Sequence, residues 1–119
     1  MPDTPVSLLI VVRHAPHGTS WLREALDLAL VGATFGCKVA LHFCDEGVMA
    51  LVEGQGAGAL GQKGTAPTLD VLALYDIERL YVDESSLSER GLDTEALAHE
   101  VEFAELAELV REYDRVFTF

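Results

Sequence analysis

The chain has 119 residues, half of them hydrophobic, with 8% aromatics and a mean hydropathy of +0.23. That hydrophobicity excludes disorder as the main state, and the length fits one domain over residues 1–119. Twenty acidic residues against eight basic ones give a formal charge of −12, which excludes broad nucleic-acid contact, because phosphate recognition needs Lys and Arg.

The acid is concentrated late in the chain. From Asp76 to Phe119 there are thirteen acidic and four basic residues, a local charge of −9. Such a surplus keeps a small, rather hydrophobic protein soluble. No apolar run approaches the ~20 residues of a membrane span. The first five residues, Met1 to Pro5, carry no Lys or Arg, so no secretory signal is expected. Cys37 and Cys44 are too few for a disulfide scaffold. A soluble, cytoplasmic protein is the expectation.

Ser7 to Val12 is a continuous apolar run, rich in branched residues, and predicts a strand buried on both faces. The loop Arg13 to Thr19 follows. Ser20 to Phe35 predicts a helix, with Thr19 or Ser20 as its cap and Arg23 and Asp27 paired on a narrow polar strip. The rest of its circumference is apolar, so it should be covered on more than one side. Gly36 ends it, and Cys37 to Cys44 predicts a second strand. Asp45-Glu46-Gly47 reads as a turn, with a short helix from Val48 to Val52.

Five glycines between Gly54 and Gly64 predict a mobile surface loop. Pro67 suits the first turn of a helix over Thr68 to Leu74. Arg79 to Val82 predicts a third strand, and Ser85 to Arg90 a short helix ended by Gly91, with the serines as caps. Glu100 to Phe103 is a fourth, weaker strand. Leu106, Leu109, Val110 and Tyr113 recur at helical spacing, and Arg115 to Phe119 closes the chain as a fifth strand. This alternation predicts an α/β fold: a three-layer parallel sheet of about five strands with helices on both faces. In such sheets functional residues gather at the carboxyl ends of the strands, here His14 to Thr19, Cys44 to Gly47 and Asp83 to Ser86.

Three features at those ends bear on chemistry. The segment Ala15-Pro16-His17-Gly18-Thr19 joins a strand to a helix start, so it is either an anion cradle or a turn with a cap. It matches no nucleotide-binding motif. His14 and His17, with His42, Cys44 and Asp45, allow a zinc site to be imagined. They lack the spacing of structural or catalytic zinc, so no metal and no cofactor are expected. Cys44 is the natural nucleophile by position, but Asp45 and Glu46 beside it disfavour the reactive thiolate. The glutamates of the last helix, with Glu100 and Glu102, read as a solvated face.

The detailed wording adds a resemblance. Ala15-Pro16-His17-Gly18-Thr19 with Arg23 to Asp27, Asp45-Glu46-Gly47-Val48 with Gly54-Gln55, Leu74 to Glu78, Ser86 to Asp93, and Tyr113 to Val116 with the terminal Phe119 are similar to the TusC/DsrF family. The match runs from the first strand to the last residue and is thinnest between Gln55 and Leu74. It implies a DsrE/DsrF-like fold. It also implies a subunit of the TusBCD or DsrEFH sulfur relay, a dimer of heterotrimers with TusB/DsrH-like and TusD/DsrE-like partners. That complex passes persulfide sulfur between cysteines of upstream and downstream carrier proteins, either toward 2-thiolation of tRNA wobble uridine or in sulfur oxidation. In the related TusD/DsrE subunit the acceptor cysteine follows a strand and precedes a short helix ending in Arg-Gly. Spacing to Arg90-Gly91 puts Asp83 in that place, and a carboxylate cannot hold a persulfide. The resemblance therefore implies a structural or positioning role without direct nucleic-acid contact. The alternatives are a persulfide carrier using Cys44 and an anion-binding module using the His14 to Thr19 loop.

Overall fold

The structure, a computed structural model, describes residues 5–15, 21–52, 72–77, 79–97 and 99–119. Strands β1 (Ser7–Val12), β2 (Lys38–Phe43), β3 (Arg79–Val82), β4 (Glu102–Phe103) and β5 (Arg115–Thr118) form one parallel sheet in the order β4-β3-β2-β1-β5. The helices are α1 (Trp21–Thr34), α2 (Glu84–Glu89) and α3 (Leu106–Leu109), with short 3-10 turns at Asp45–Leu51, Leu72–Tyr75 and Thr94–Ala96. Among the described residues no helix is long and apolar enough to cross a membrane.

The continuous apolar run is an interior strand. β1 lies between β2 and β5, and Leu9, Ile10, Val11 and Val12 are fully buried. Alternate residues serve opposite faces. Leu8, Ile10 and Val12 pack with Val39, Leu41 and Phe43 under Leu22, Ala25, Leu26 and Ala29 of α1 and Leu87 of α2. Leu9, Val11, Ala40 and Tyr81 point the other way, under Leu109 of α3, with Ala104, Leu106 and Tyr113 at the margin. The topology accounts for this split. From β1 to β4 the strands are laid in one direction, so right-handed crossovers put their connections on one face. The return from β4 to β5 runs back across the sheet and puts α3 on the other.

Several boundaries differ from the sequence reading. The turn at Asp45 is the start of a 3-10 helix running to Leu51, because Gly47 N–H bonds back to the Cys44 carbonyl at once. The last helix is one turn, Leu106–Leu109, since the chain must reach Asp114, where Ser7 clasps it: Ser7 N–H and Oγ donate to Asp114 Oδ2 at 2.9 and 3.1 Å. The fourth strand shortens to Glu102–Phe103. α2 is capped by Asp83 rather than by a serine: the carboxylate is one bond longer in reach, and Ser85 and Ser86 donate to it. The predicted glycine loop from Gly54 to Gly64 and the start of the predicted helix at Thr68 lie outside the described residues.

Gly47 is required by space. A Cβ there would collide with the Val12 carbonyl oxygen at the end of β1, and that oxygen already accepts the Cys44 N–H at 3.1 Å. Neither backbone segment can swing aside as a side chain would. Gly47→Ala is expected to destabilise the fold by about 1–3 kcal/mol or more, read as a lower urea midpoint at unchanged slope. A midpoint equal to the parent's would show that this junction yields freely.

Candidate functional site

The crossovers that follow β3 and β4 leave the sheet on opposite faces, α2 on one and α3 on the other. Their carboxyl ends therefore cannot both be covered by the same layer, and a crevice opens between them. This is the topological switch point, where open α/β sheets bind their ligands. A groove of about 400 Å³ lies there, lined by Asp83, Glu84 and Ser85 after β3 and by Phe103, Ala104, Glu105 and Glu108 from the β4 side. Phe103 is half-exposed in its wall.

Asp83 is the best-anchored group in this crevice. Its Oδ2 accepts from Ser85 Oγ at 2.7 Å, Ser86 Oγ at 2.6 Å and Ser86 N–H at 3.1 Å. These donors stabilise the anion and hold the carboxyl below its ordinary value of 3.8. The hydroxyl of Ser86, itself buried, accepts in turn from the Asp45 N–H at 2.9 Å. A chain of hydrogen bonds thus runs from the end of β3 to the end of β2. Asp45 takes a left-handed backbone (φ 50°), tolerable for an aspartate. Its carboxylate meets Arg13, beyond β1, at 2.7 Å, and this raises the Arg13 pKa. Glu46 meets Arg90 at 2.9 Å, and Arg90 also donates to the Ser86 carbonyl at 3.0 Å. Gly91 follows in a left-handed conformation (φ 67°), closing α2.

Cys44 sits just inside this ring. It is 7% exposed, and burial, Asp45 and Asp83 push its thiol up, with Arg13 opposing them. The protonated thiol is a poor nucleophile. Cys37 lies at the other end of β2 and is partly buried against the core. Among the described residues no group of three or more His, Cys, Asp or Glu side chains could hold a metal ion. His42 is buried in β2, and the His14 ring stacks on Trp21 with centroids 4.9 Å apart.

The structure therefore brings together Cys44, Asp45, Asp83 and Arg90 from the candidate set, with Gly47 and Gly91 shaping the backbone around them. Ala15 lies beyond β1, while Pro16, His17, Gly18 and Thr19 lie outside the described residues. Sequence reasoning placed Ser86 at this strand end only as a cap, and it missed Arg13 and the β4 wall. The Asp-x-x-Ser pattern at Asp83 was a readable cap signal for Ser86. The pairing of Arg13 with Asp45, 32 residues apart, had no local signal. A second cavity of about 500 Å³ lies at the opposite end of the strands, among Lys38, Asp76, Arg79, Tyr81 and Tyr113. Its guanidinium is already engaged, with Tyr81 at 3.1 Å and Glu102 at 3.6 Å.

Comparison with known proteins decides the family. The sequence pattern described as the DsrE/DsrF-like family matches residues 6–119. The chain belongs to the DsrE/DsrF-like family. It is similar to the intracellular sulfur oxidation protein DsrF of Allochromatium vinosum, 35% identical over 100% of both chains. It is also similar to a TusC homolog of Pseudomonas aeruginosa, 41% identical over 94% of this chain and 97% of the relative. The crystal structure of the ychN protein from E. coli superposes with a TM-score of 0.80 at 25% identity, over 96% of this chain and 99% of that one. A protein of unknown function from Methanobacterium thermoautotrophicum shares the fold, with a TM-score of 0.69 at 12% identity. The TusC/DsrF resemblance and the three-layer α/β fold read from the sequence both hold for this DsrE/DsrF-like chain.

Two expectations follow. Asp83 is ionised more readily in the folded chain than in the unfolded one. Its contribution to stability is present above the ordinary aspartate value and is lost as pH falls through the lowered native one. Asp83→Ala should cost about 1–2 kcal/mol at pH 7, and the gap to the parent should shrink below pH 3.8 in urea titrations. A pH-independent gap would deny the ionised carboxylate its role. Second, limited alkylation with iodoacetamide, followed by peptide mass spectrometry, should modify Cys37 before Cys44. The reverse order would show that Cys44 is reactive after all.

Proposed function

We propose that this chain is a structural, positioning subunit of a sulfur relay complex and does not itself accept the persulfide. The observation that carries the non-acceptor role is Asp83. It stands in the switch-point groove, at the place that the family resemblance matches to the acceptor cysteine of the TusD/DsrE-like subunit. Its carboxylate is tied up by Ser85 and Ser86 and has no sulfur chemistry to offer. Cys44 is close by but buried and protonated, which argues against the alternative of a persulfide carrier.

The chain acts as one domain over 1–119, in the cytoplasm, beside a TusB/DsrH-like and a TusD/DsrE-like partner in a dimer of heterotrimers. Exposed apolar side chains support such burial in an assembly: Phe35 is 82% exposed and Leu74 81%, with Val31 and Trp21 exposed along α1. The sulfur passes on toward 2-thiolation of wobble uridine in tRNA. The acidic balance fits a component that meets proteins and leaves the tRNA to another enzyme.

Native mass spectrometry of the tagged chain, purified from its own cells, is expected to show two other small proteins in equal copies with it. A lone monomer or homodimer would overturn the subunit reading. Within the intact assembly, Cys44→Ser and Cys37→Ser are expected to leave sulfur transfer from a persulfide donor unchanged. Loss of transfer with assembly preserved, together with a one-sulfur mass gain on this chain that Cys44→Ser abolishes, would favour the carrier reading instead. Nucleoside mass spectrometry of tRNA from cells lacking the chain should show depleted 2-thiouridine.

A further inference from the structure

Among the described residues, one buried polar side chain takes no part in the site at Asp83. His42, in the middle of the sheet, is fully buried between its register partners Val11 of β1 and Tyr81 of β3. Its Nε2 lies 3.0 Å from the carbonyl oxygen of Ala104. A carbonyl only accepts, so Nε2 carries the proton and donates. Nδ1 is then a bare lone pair, and it has no hydrogen-bond partner among the described residues.

Ala104 begins the segment that covers the thinly protected face of the sheet. Besides the His42 bond, its N–H to the Val82 carbonyl, at 3.2 Å, ties it to β3, and at the far end of the cover the Tyr113 side chain hydrogen-bonds to Tyr81. The cover then consists of a single helical turn with one buried side chain, Leu109, until Ser7 clasps Asp114. Short elements with few buried side chains open at low free-energy cost. Ala104, Glu105 and Glu108 of this cover also form one wall of the groove at Asp83.

We propose that His42 is an acid-sensitive latch: a second proton on its ring, at Nδ1, releases residues 104–113 from the sheet and opens one wall of the switch-point groove. The imidazolium would hold a buried N–H with no acceptor, which favours the open form, where water supplies one. The surroundings offer little relief. β1 presents Leu9 and Val11, which do not titrate. β2 adds the thiol of Cys44, and β3 adds Tyr81 and, past its end, Asp83. The cover contributes Ala104, Leu109 and Tyr113, and its Glu105 and Glu108 are exposed. Burial lowers the ring's pKa below its ordinary 6.5, and it outweighs the Ala104 carbonyl and Asp83, which favour the cation. The closed form therefore binds its proton later than the open form. Closure weakens as pH falls from 6.5 toward the lowered native value, by up to about tenfold per pH unit.

Hydrogen exchange of the full-length chain, followed by mass spectrometry and corrected for intrinsic rates, tests this between pH 7.5 and pH 5. Protection across 104–113 is expected to fall by about tenfold per pH unit below 6.5, while β1 keeps its protection. In His42→Gln, whose amide can donate to Ala104 but does not titrate, the pH-dependent loss should vanish. Equal loss in β1, no loss in 104–113, or loss that persists in His42→Gln would each overturn the latch. If His42→Gln does not fold, the histidine ring NMR signals of the parent decide. Proton uptake below 6.5 that coincides with the loss of protection supports the latch. Uptake at or above 6.5, or uptake without loss, overturns it.

Discussion

Handedness of the crossovers is the constraint on which the rest of this structure depends. A parallel strand pair joined by a right-handed connection places that connection on a face dictated by the direction of travel across the sheet. Four strands laid in one direction and a fifth laid on the far side of β1 therefore divide the cover unequally. α1 and α2 share one face with the bulk of the apolar core. The other face receives only the short return through α3. The division also opens the crevice between the ends of β3 and β4, so the position of the groove is a product of chain direction rather than of any one side chain.

Polar contacts hold what the thin layer of apolar packing does not. At the amino end of β1, Ser7 and Asp114 exchange three hydrogen bonds across 107 residues. In the middle of the sheet, His42 reaches Ala104 across 62. Each replaces the larger hydrophobic area that covers the α1 face. Bonds of this kind have defined geometry, unlike apolar packing. The face that lines the groove is therefore also the face whose cover rests most on polar contacts.

At the carboxyl edge, a different economy operates. Asp83 caps α2, binds the Ser86 hydroxyl and, through it, fixes the backbone of Asp45 in a left-handed turn beside Cys44. Arg13 and Arg90 then each take one acid, Asp45 and Glu46. The exposed ion pairs contribute little to stability by themselves. Their effect is to order three strand ends into one rigid rim. The negative, hydrogen-bonded Asp83 is the hub of that rim.

Much of this was legible in the residues. The unbroken apolar run of β1 announced a strand buried on both faces, because such a strand does not alternate. The order of elements announced the sheet. Those signals are local in the chain, where periodicity, capping and turn chemistry act over a few residues. Tertiary structure alone decided that Leu106–Leu109 is a single turn, that Gly47 has no room for a methyl group, that Arg13 answers Asp45, and that His42 faces a carbonyl with one nitrogen bare. Each of these depends on residues far apart in the sequence brought within a few ångströms by strand order, and strand order is set by packing and handedness, which no local pattern records.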